Sequence, residues 1–224
     1  MNLEKYSKAE LRWHNAIHST VVDILKDKLT KISDHELFSR RRILWRIGLQ
    51  LFKAGRFEES IDNLMGLGST YEAVLKSLKK IQKFIYKITF YRVYLTMGRA
   101  SVQLFLANHD IKYLEDGYKF YQEAIGMVYM EFIIPDVLSE FGRLLEHYGA
   151  FEASLEMYHR LLSNFPSYKF TTQVMLRSAM VGRHLAALTT NEKEREKTLK
   201  KCIEILKELV EKAKASTDVS EISF

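Results

Sequence analysis

One pattern constrains the fold of this chain more than any other. Within residues 44–67, LWRIGLQLFKAGRFEESIDNLMGL, apolar or small side chains fall at Leu44, Ile47, Gly48, Leu51, Phe57, Ser60, Ile61, Leu64 and Leu67, with Ala54-Gly55 between the halves. Each half carries an apolar stripe at helical spacing, and the glycine supplies the φ > 0 that a tight interhelical turn requires. The same order returns within residues 138–166, at Leu138, Phe141, Gly142, Leu145, Gly149, Phe151, Ser154, Leu155, Tyr158 and Leu161. Two copies of one helix–turn–helix pattern predict a helical-repeat chain, because each pair can bury its stripe only against its neighbours.

Composition supports an all-α reading. Only two prolines and ten glycines occur in 224 residues, and 47% are hydrophobic, enough to build a continuous core. The single cysteine, Cys202, can neither close an internal disulfide nor form a zinc site alone, which favours a reducing, intracellular compartment. The first residues, MNLEKYSKAELRW, are charged where a signal peptide needs an apolar run, and no apolar stretch is long enough to span a bilayer. A net charge of +6 favours acidic partners: a protein surface such as that of tubulin, a nucleic acid or an anionic membrane.

Taken in order, Trp13, Ile17, Val21, Ile24, Leu25 and Leu29 mark a long amphipathic helix over residues 6–32. Ser33-Asp34 offers the N-cap of the next, which should stop near Ala54-Gly55, and Ser69-Thr70 with Glu72 reads as the start of another. A break is expected between Lys83 and Thr89, where β-branched and aromatic residues lower helix propensity. A divergent third unit over residues 90–128 has its turn at Asn108-His109-Asp110, and its helices should be a turn or two longer than those of the other units. Pro135 opens the next helix and Pro166 closes that pair. The last pair covers residues 171–188 and 191–213, with Asn191 and Glu194 as a capping box and Leu199, Cys202, Ile203, Leu206, Leu209, Val210 and Ala213 as one apolar seam. Residues 1–214 thus read as a single domain, with its clearest repeats at 41–69 and 136–166, and residues 215–224 as a polar tail without a fold of its own.

The two clear units resemble tetratricopeptide repeats. Gly142, Tyr158 and Pro166 match that family's pattern directly, with Phe141 and Leu145 at apolar positions and Ser154 at the small one; the other unit keeps Gly48, Phe57 and Ser60 and lacks the closing proline. The resemblance implies a right-handed α-solenoid of antiparallel helix pairs, with a long helix before the repeats and a capping helix after them. It also implies a concave face, lined by the first helix of each pair, that holds peptides or a partner's helix. One subclass grips a C-terminal carboxylate through Lys and Asn on those helices. Here the matching positions are Trp45 and Leu49, and Ser139 and Arg143, so that clamp is absent.

Two surfaces are candidates for partner contact. The first is basic: Arg40, Arg41, Arg42 and Arg46, followed by Lys76, Lys79, Lys80, Lys83, Lys87 and Arg92 in a stretch free of acidic residues and interleaved with Phe84, Tyr86, Phe90, Tyr91 and Tyr94. Charge with aromatics suits RNA or single-stranded DNA, whereas Ile81, Phe84, Ile85, Ile88, Tyr91 and Leu95 at helical spacing suit an ordinary core stripe. The core stripe is the favoured reading, leaving the lysines to meet an acidic protein surface. The second is apolar: Trp45, Leu49 and Phe52 could form a groove, or could be covered by the first helix through Trp13, Ile17 and Val21, which is favoured. His14 and His18 lie one turn apart, but HNAIH lacks the glutamate of a zinc-protease motif and no third ligand is evident, so packing is expected rather than metal binding. No catalytic or cofactor-binding constellation emerges. The expectation is a non-enzymatic protein-interaction scaffold in a larger assembly, with a ciliary or cytoskeletal setting favoured over an organelle matrix, and an RNA-binding repeat protein as the alternative.

Overall fold

The computed structural model describes residues 8–33, 37–68, 80–128 and 133–221. Among them the regular elements are all helices: α1 (Lys8–Thr30), α2 (Leu37–Lys53), α3 (Phe57–Gly68), α4 (Lys80–Asn108), α5 (Ile111–Met127), α6 (Pro135–Tyr148), α7 (Phe151–Asn164), α8 (Thr171–Leu188) and α9 (Glu192–Glu221). The chain divides into two compact units, Met1–Phe132 and Ile133–Phe224, so α1–α5 belong to the first and α6–α9 to the second. Within each unit consecutive helices pack as antiparallel pairs: α2 with α3 and α4 with α5 in the first, α6 with α7 and α8 with α9 in the second. None of the described helices is long and apolar enough to cross a membrane.

The repeat seen in the sequence is a repeat of contacts. In the α2–α3 pair Gly55 takes φ 76°, its N–H donates to Phe52 O at 3.1 Å, and the Arg56 N–H reaches back to Leu51 O at 2.9 Å. In the α6–α7 pair Gly149 takes the same φ of 76°, with its N–H on Glu146 O at 3.0 Å and the Ala150 N–H on Leu145 O at 2.9 Å. This left-handed termination uses carbonyls that the helix leaves unpaired and turns the chain straight into the next helix.

One turn inside each pair, the small residues set how closely the helices approach. The Ser60 hydroxyl donates to Gly48 O at 2.8 Å, and the Ser154 hydroxyl to Gly142 O at 2.8 Å, each across 12 residues. A Cβ on Gly48 would meet Leu64 Cδ2 at 2.4 Å, and one on Gly142 would meet Tyr158 Cε1 at 2.5 Å. The same device holds the other two pairs, where a Cβ on Gly98 would meet the Tyr121 ring at 3.0 Å and one on Gly182 the Cys202 sulfur at 2.5 Å. Glycine on the first helix leaves room for a larger side chain from the second, so the stripe interdigitates at interior density.

Three expectations are corrected. The chain does not break between Lys83 and Thr89, because α4 runs without interruption from Lys80 to Asn108. Burial of Phe90, Val93 and Met97 against Leu64 and Leu67 of α3 outweighs the weak helix propensity of the residues before them. Residues 215–221 are helical rather than an unstructured tail, since α9 continues to Glu221 and each residue added to an existing helix gains a hydrogen bond without a new nucleation cost.

The docking face of α1 is the third correction. Trp13 is 73% and Ile17 57% exposed, so this helix does not cover Trp45 with them. Instead Val22, fully buried, packs with Leu25, Leu29 and Ile32 on Ile43, Ile47 and Leu51 of α2. His18, Val22, Leu25 and Leu29 form the inward stripe; a histidine at its first position hid it from a search for apolar ladders. The expected N-cap at Asp34 and the helix start at Ser69-Thr70 lie outside the described residues. The Asn108-His109-Asp110 turn is as expected: His109 takes φ 55°, and Asp110 caps α5 by accepting from the Lys112 N–H at 2.9 Å. Asn191 caps α9 through the N–H groups of Lys193 and Glu194, at 3.0 and 3.3 Å.

Candidate partner-binding surfaces

The basic candidates separate once their surroundings are known. Lys76 and Lys79 lie outside the described residues, and Lys80 opens α4. Arg40 is engaged within the fold, where its guanidinium donates to Ile32 O at 3.0 Å and ties the start of α2 to the end of α1. Arg41 is half-buried. Arg42 and Arg46 are exposed one turn apart on α2, and Lys87 and Arg92 are exposed on α4 with Lys83 half-buried, so these five remain available on two helices that touch each other. Of the aromatics that suggested base stacking, Phe90, Tyr91 and Tyr94 are used inside, and the side chains of Phe84 and Tyr86 lie outside the described ones. Phe90 and Tyr91 are 3% and 2% exposed, and Tyr94 packs against Phe120 with ring centroids 6.3 Å apart. Leu95 is buried and Ile88 half-buried, as the core-stripe reading requires.

The apolar candidates are partly occupied by the fold itself. Trp45 packs against the cluster of Leu64, Leu67, Phe90, Val93 and Met97, so α3 and α4 cover it rather than α1. Phe52 meets Phe57 across the turn, with centroids 5.6 Å apart and planes tilted by 56°. Leu49 is half-buried.

A groove that sequence reasoning missed lies in the second unit. It has a volume of about 530 Å³ and runs between the end of α6 and the outer face of α8, the first helices of successive pairs. Leu176 and Met180, 48% and 49% exposed, give it an apolar rim. His184 stacks on Phe151 at 5.8 Å and closes one end. The floor is held by a polar network: Glu146 accepts from the Tyr158 hydroxyl on one oxygen and from Arg177 Nη1 on the other, at 2.8 Å. Burial, together with the Glu146 carboxylate beside it, raises the Tyr158 phenol far above its ordinary range, so it stays a neutral donor. The one sequence signal for the groove was a second, outward apolar pair, Leu176 and Met180, on a helix whose core stripe is already complete through Val174, Met175, Ala179 and Val181.

A second concavity, of about 510 Å³, lies between α7, α8 and α9 and includes His159, Ser178 and Cys202. Burial raises the Cys202 thiol, which leaves it protonated and inert at neutral pH. Burial and then the charge of Lys201 lower His159, and burial likewise lowers His18 despite its bond to Gln50. A histidine whose folded pKa lies below its unfolded value contributes stability above the unfolded pKa and loses it as pH falls through the folded one. Melting temperature should therefore drop as pH is lowered from 7 through the histidine range, and His159→Gln should flatten that slope in a calorimetric pH series. A slope unchanged by His159→Gln would remove this group from the acid response.

The chain shares its fold with MamA. A crystal structure of MamA aligns with 92% of this chain and 98% of its own at a TM-score of 0.53 and 14% identity. A second MamA crystal structure aligns with 92% of this chain and 94% of its own at 0.47 and 13% identity. The de novo designed helical repeat protein DHR64 aligns at 0.34 and 12%, over 93% of this chain and 88% of its own. No family model and no curated protein sequence matches the chain. At 14% identity the likeness to MamA concerns the fold alone.

Proposed function

We propose that this chain is a non-enzymatic, tetratricopeptide-like interaction scaffold that holds a partner protein in a larger assembly. The observation that carries this reading is the α6–α8 groove, where Leu176 and Met180 of α8 stand half-exposed above the hydrogen-bonded Glu146–Arg177–Tyr158 floor. Apolar anchors set in a polar surround are what a docking partner desolvates. Arg42, Arg46, Lys83, Lys87 and Arg92 supply a second, electrostatic contact in the first unit, suited to an acidic surface. The net charge of +6 favours a setting rich in such surfaces, such as a ciliary or cytoskeletal assembly.

Affinity capture from cells, repeated with two variants, tests the proposal. Leu176→Asp with Met180→Asp should abolish recovery of a reproducible partner while helicity is unchanged, because charges at the rim cannot be desolvated in the complex. Arg42→Glu with Arg46→Glu should weaken recovery, and added salt should weaken it for the parent protein. Recovery unaffected by either pair would refute the assignment of these surfaces. Salt-sensitive binding to generic RNA, with no protein partner, would replace the scaffold reading by the nucleic-acid one.

A further inference from the structure

We propose that His14 and His18 form a two-histidine site for a divalent transition-metal ion of the class that prefers imidazole: Cu²⁺, Ni²⁺ or Zn²⁺. The two residues are half-buried one turn apart on α1, and their Nε2 atoms approach to 3.1 Å. Two metal–nitrogen bonds of about 2.05 Å spanning that gap would meet at about 100°, between a cis octahedral and a tetrahedral angle. The rings adopt an edge arrangement, tilted by 67°, rather than a face-to-face stack.

The far nitrogen of His18 is already engaged as a metal ligand requires. His18 Nδ1 lies 2.6 Å from Gln50 Oε1 on α2. An amide oxygen only accepts, so the proton resides on Nδ1 and Nε2 keeps its lone pair. A hydrogen bond from the far nitrogen to a fixed acceptor is how metal-bound histidines are generally oriented. In the metal-free protein His14 Nε2–H donates to His18 Nε2. When an ion takes that place, the proton passes to the buried Nδ1 of His14, so the neutral pair changes tautomer at some cost in binding energy and releases no proton.

The charge and geometry around the pair define the kind of site. No group of three His, Cys, Asp or Glu side chains suited to a metal occurs among the described residues, so water completes the coordination and the site is an open clamp rather than a closed structural centre. Lys53 is the nearby cation opposing the ion, and Glu10 stands one turn before His14 on α1. Because the His18 ring is held by Gln50 of α2 only in the folded chain, a bound ion favours the folded state. Neutral imidazole pairs rank these ions with Cu²⁺ the tightest.

Calorimetric titration of the untagged full chain with CuCl₂, NiCl₂ or ZnCl₂ tests the inference. The expected result is one equivalent bound, tightest for Cu²⁺, with a higher melting temperature in its presence. His14→Ala leaves the His18–Gln50 bond in place, so α1 keeps its dock, and it should lower affinity by at least about tenfold. Gln50→Ala should weaken binding by about ten- to a hundredfold through loss of ring orientation. The electron paramagnetic resonance spectrum of the Cu²⁺ form should show two bound nitrogens in the parent and one in His14→Ala. Absence of binding by the parent chain, or unchanged affinity in His14→Ala, would overturn the proposal.

Discussion

Tyr158→Ala should destabilise the second unit by about 4 kcal/mol. The side chain is fully buried, its ring fills the space left by Gly142, and its hydroxyl donates to Glu146. Truncation removes the ring from its contacts, opens a cavity between α6 and α7 and takes one donor from Glu146. Tyr158→Phe separates these contributions: it keeps the ring and should cost about 1.5 kcal/mol, the usual worth of a hydrogen bond to a charged acceptor. Differential scanning calorimetry or urea unfolding measures both. A loss below about 1 kcal/mol for Tyr158→Ala would mean that the ring does not hold the pair together.

The second large effect concerns the glycines, and it is a contrast of sign. Gly142→Ala and Gly48→Ala should each destabilise by about 1–2 kcal/mol, even though alanine is the better helix former by about 1 kcal/mol. The added methyl would sit 2.5 Å from a Tyr158 ring carbon or 2.4 Å from Leu64 Cδ2, and both neighbours are fully buried with nowhere to move. Gly66→Ala and Gly126→Ala should instead stabilise by up to about 1 kcal/mol, because no atom of the described residues lies within 4 Å of the new one at either position. Chemical denaturation of all four variants gives the comparison. If all four moved in the same direction, helix propensity alone would account for them and close packing at Gly48 and Gly142 would be discarded.

The two candidate surfaces differ in how legible they were. Exposed charge needs only the identity of a residue and its place on a helix, so Arg42, Arg46, Lys87 and Arg92 could be named in advance. Arg40 could not be told from them, because its bond to Ile32 O depends on where α1 ends against α2. The α6–α8 groove was hidden for a similar reason. Leu176 and Met180 look like any outward apolar residues until α6 and the Phe151–His184 stack stand beside them. Trp45 shows the same dependence: it was expected to be covered by α1, and the α3–α4 core covers it instead.

Local chemistry was enough to set the helices, most of their ends and the repeat itself. Gly55 and Gly149 must turn the chain, Asp110 and Asn191 must cap, and the spacing of Gly48 with Ser60 and of Gly142 with Ser154 predicts close helix pairs. These are consequences of backbone conformation and of hydrogen bonds within a few residues. Long-range packing chose which of two adjoining stripes on α1 faces inward, whether α4 breaks, and which apolar side chains stay exposed. Each depends on the surface a helix meets from elsewhere in the chain. A helix offers several faces of nearly equal hydrophobicity, and burial against a particular neighbour chooses among them.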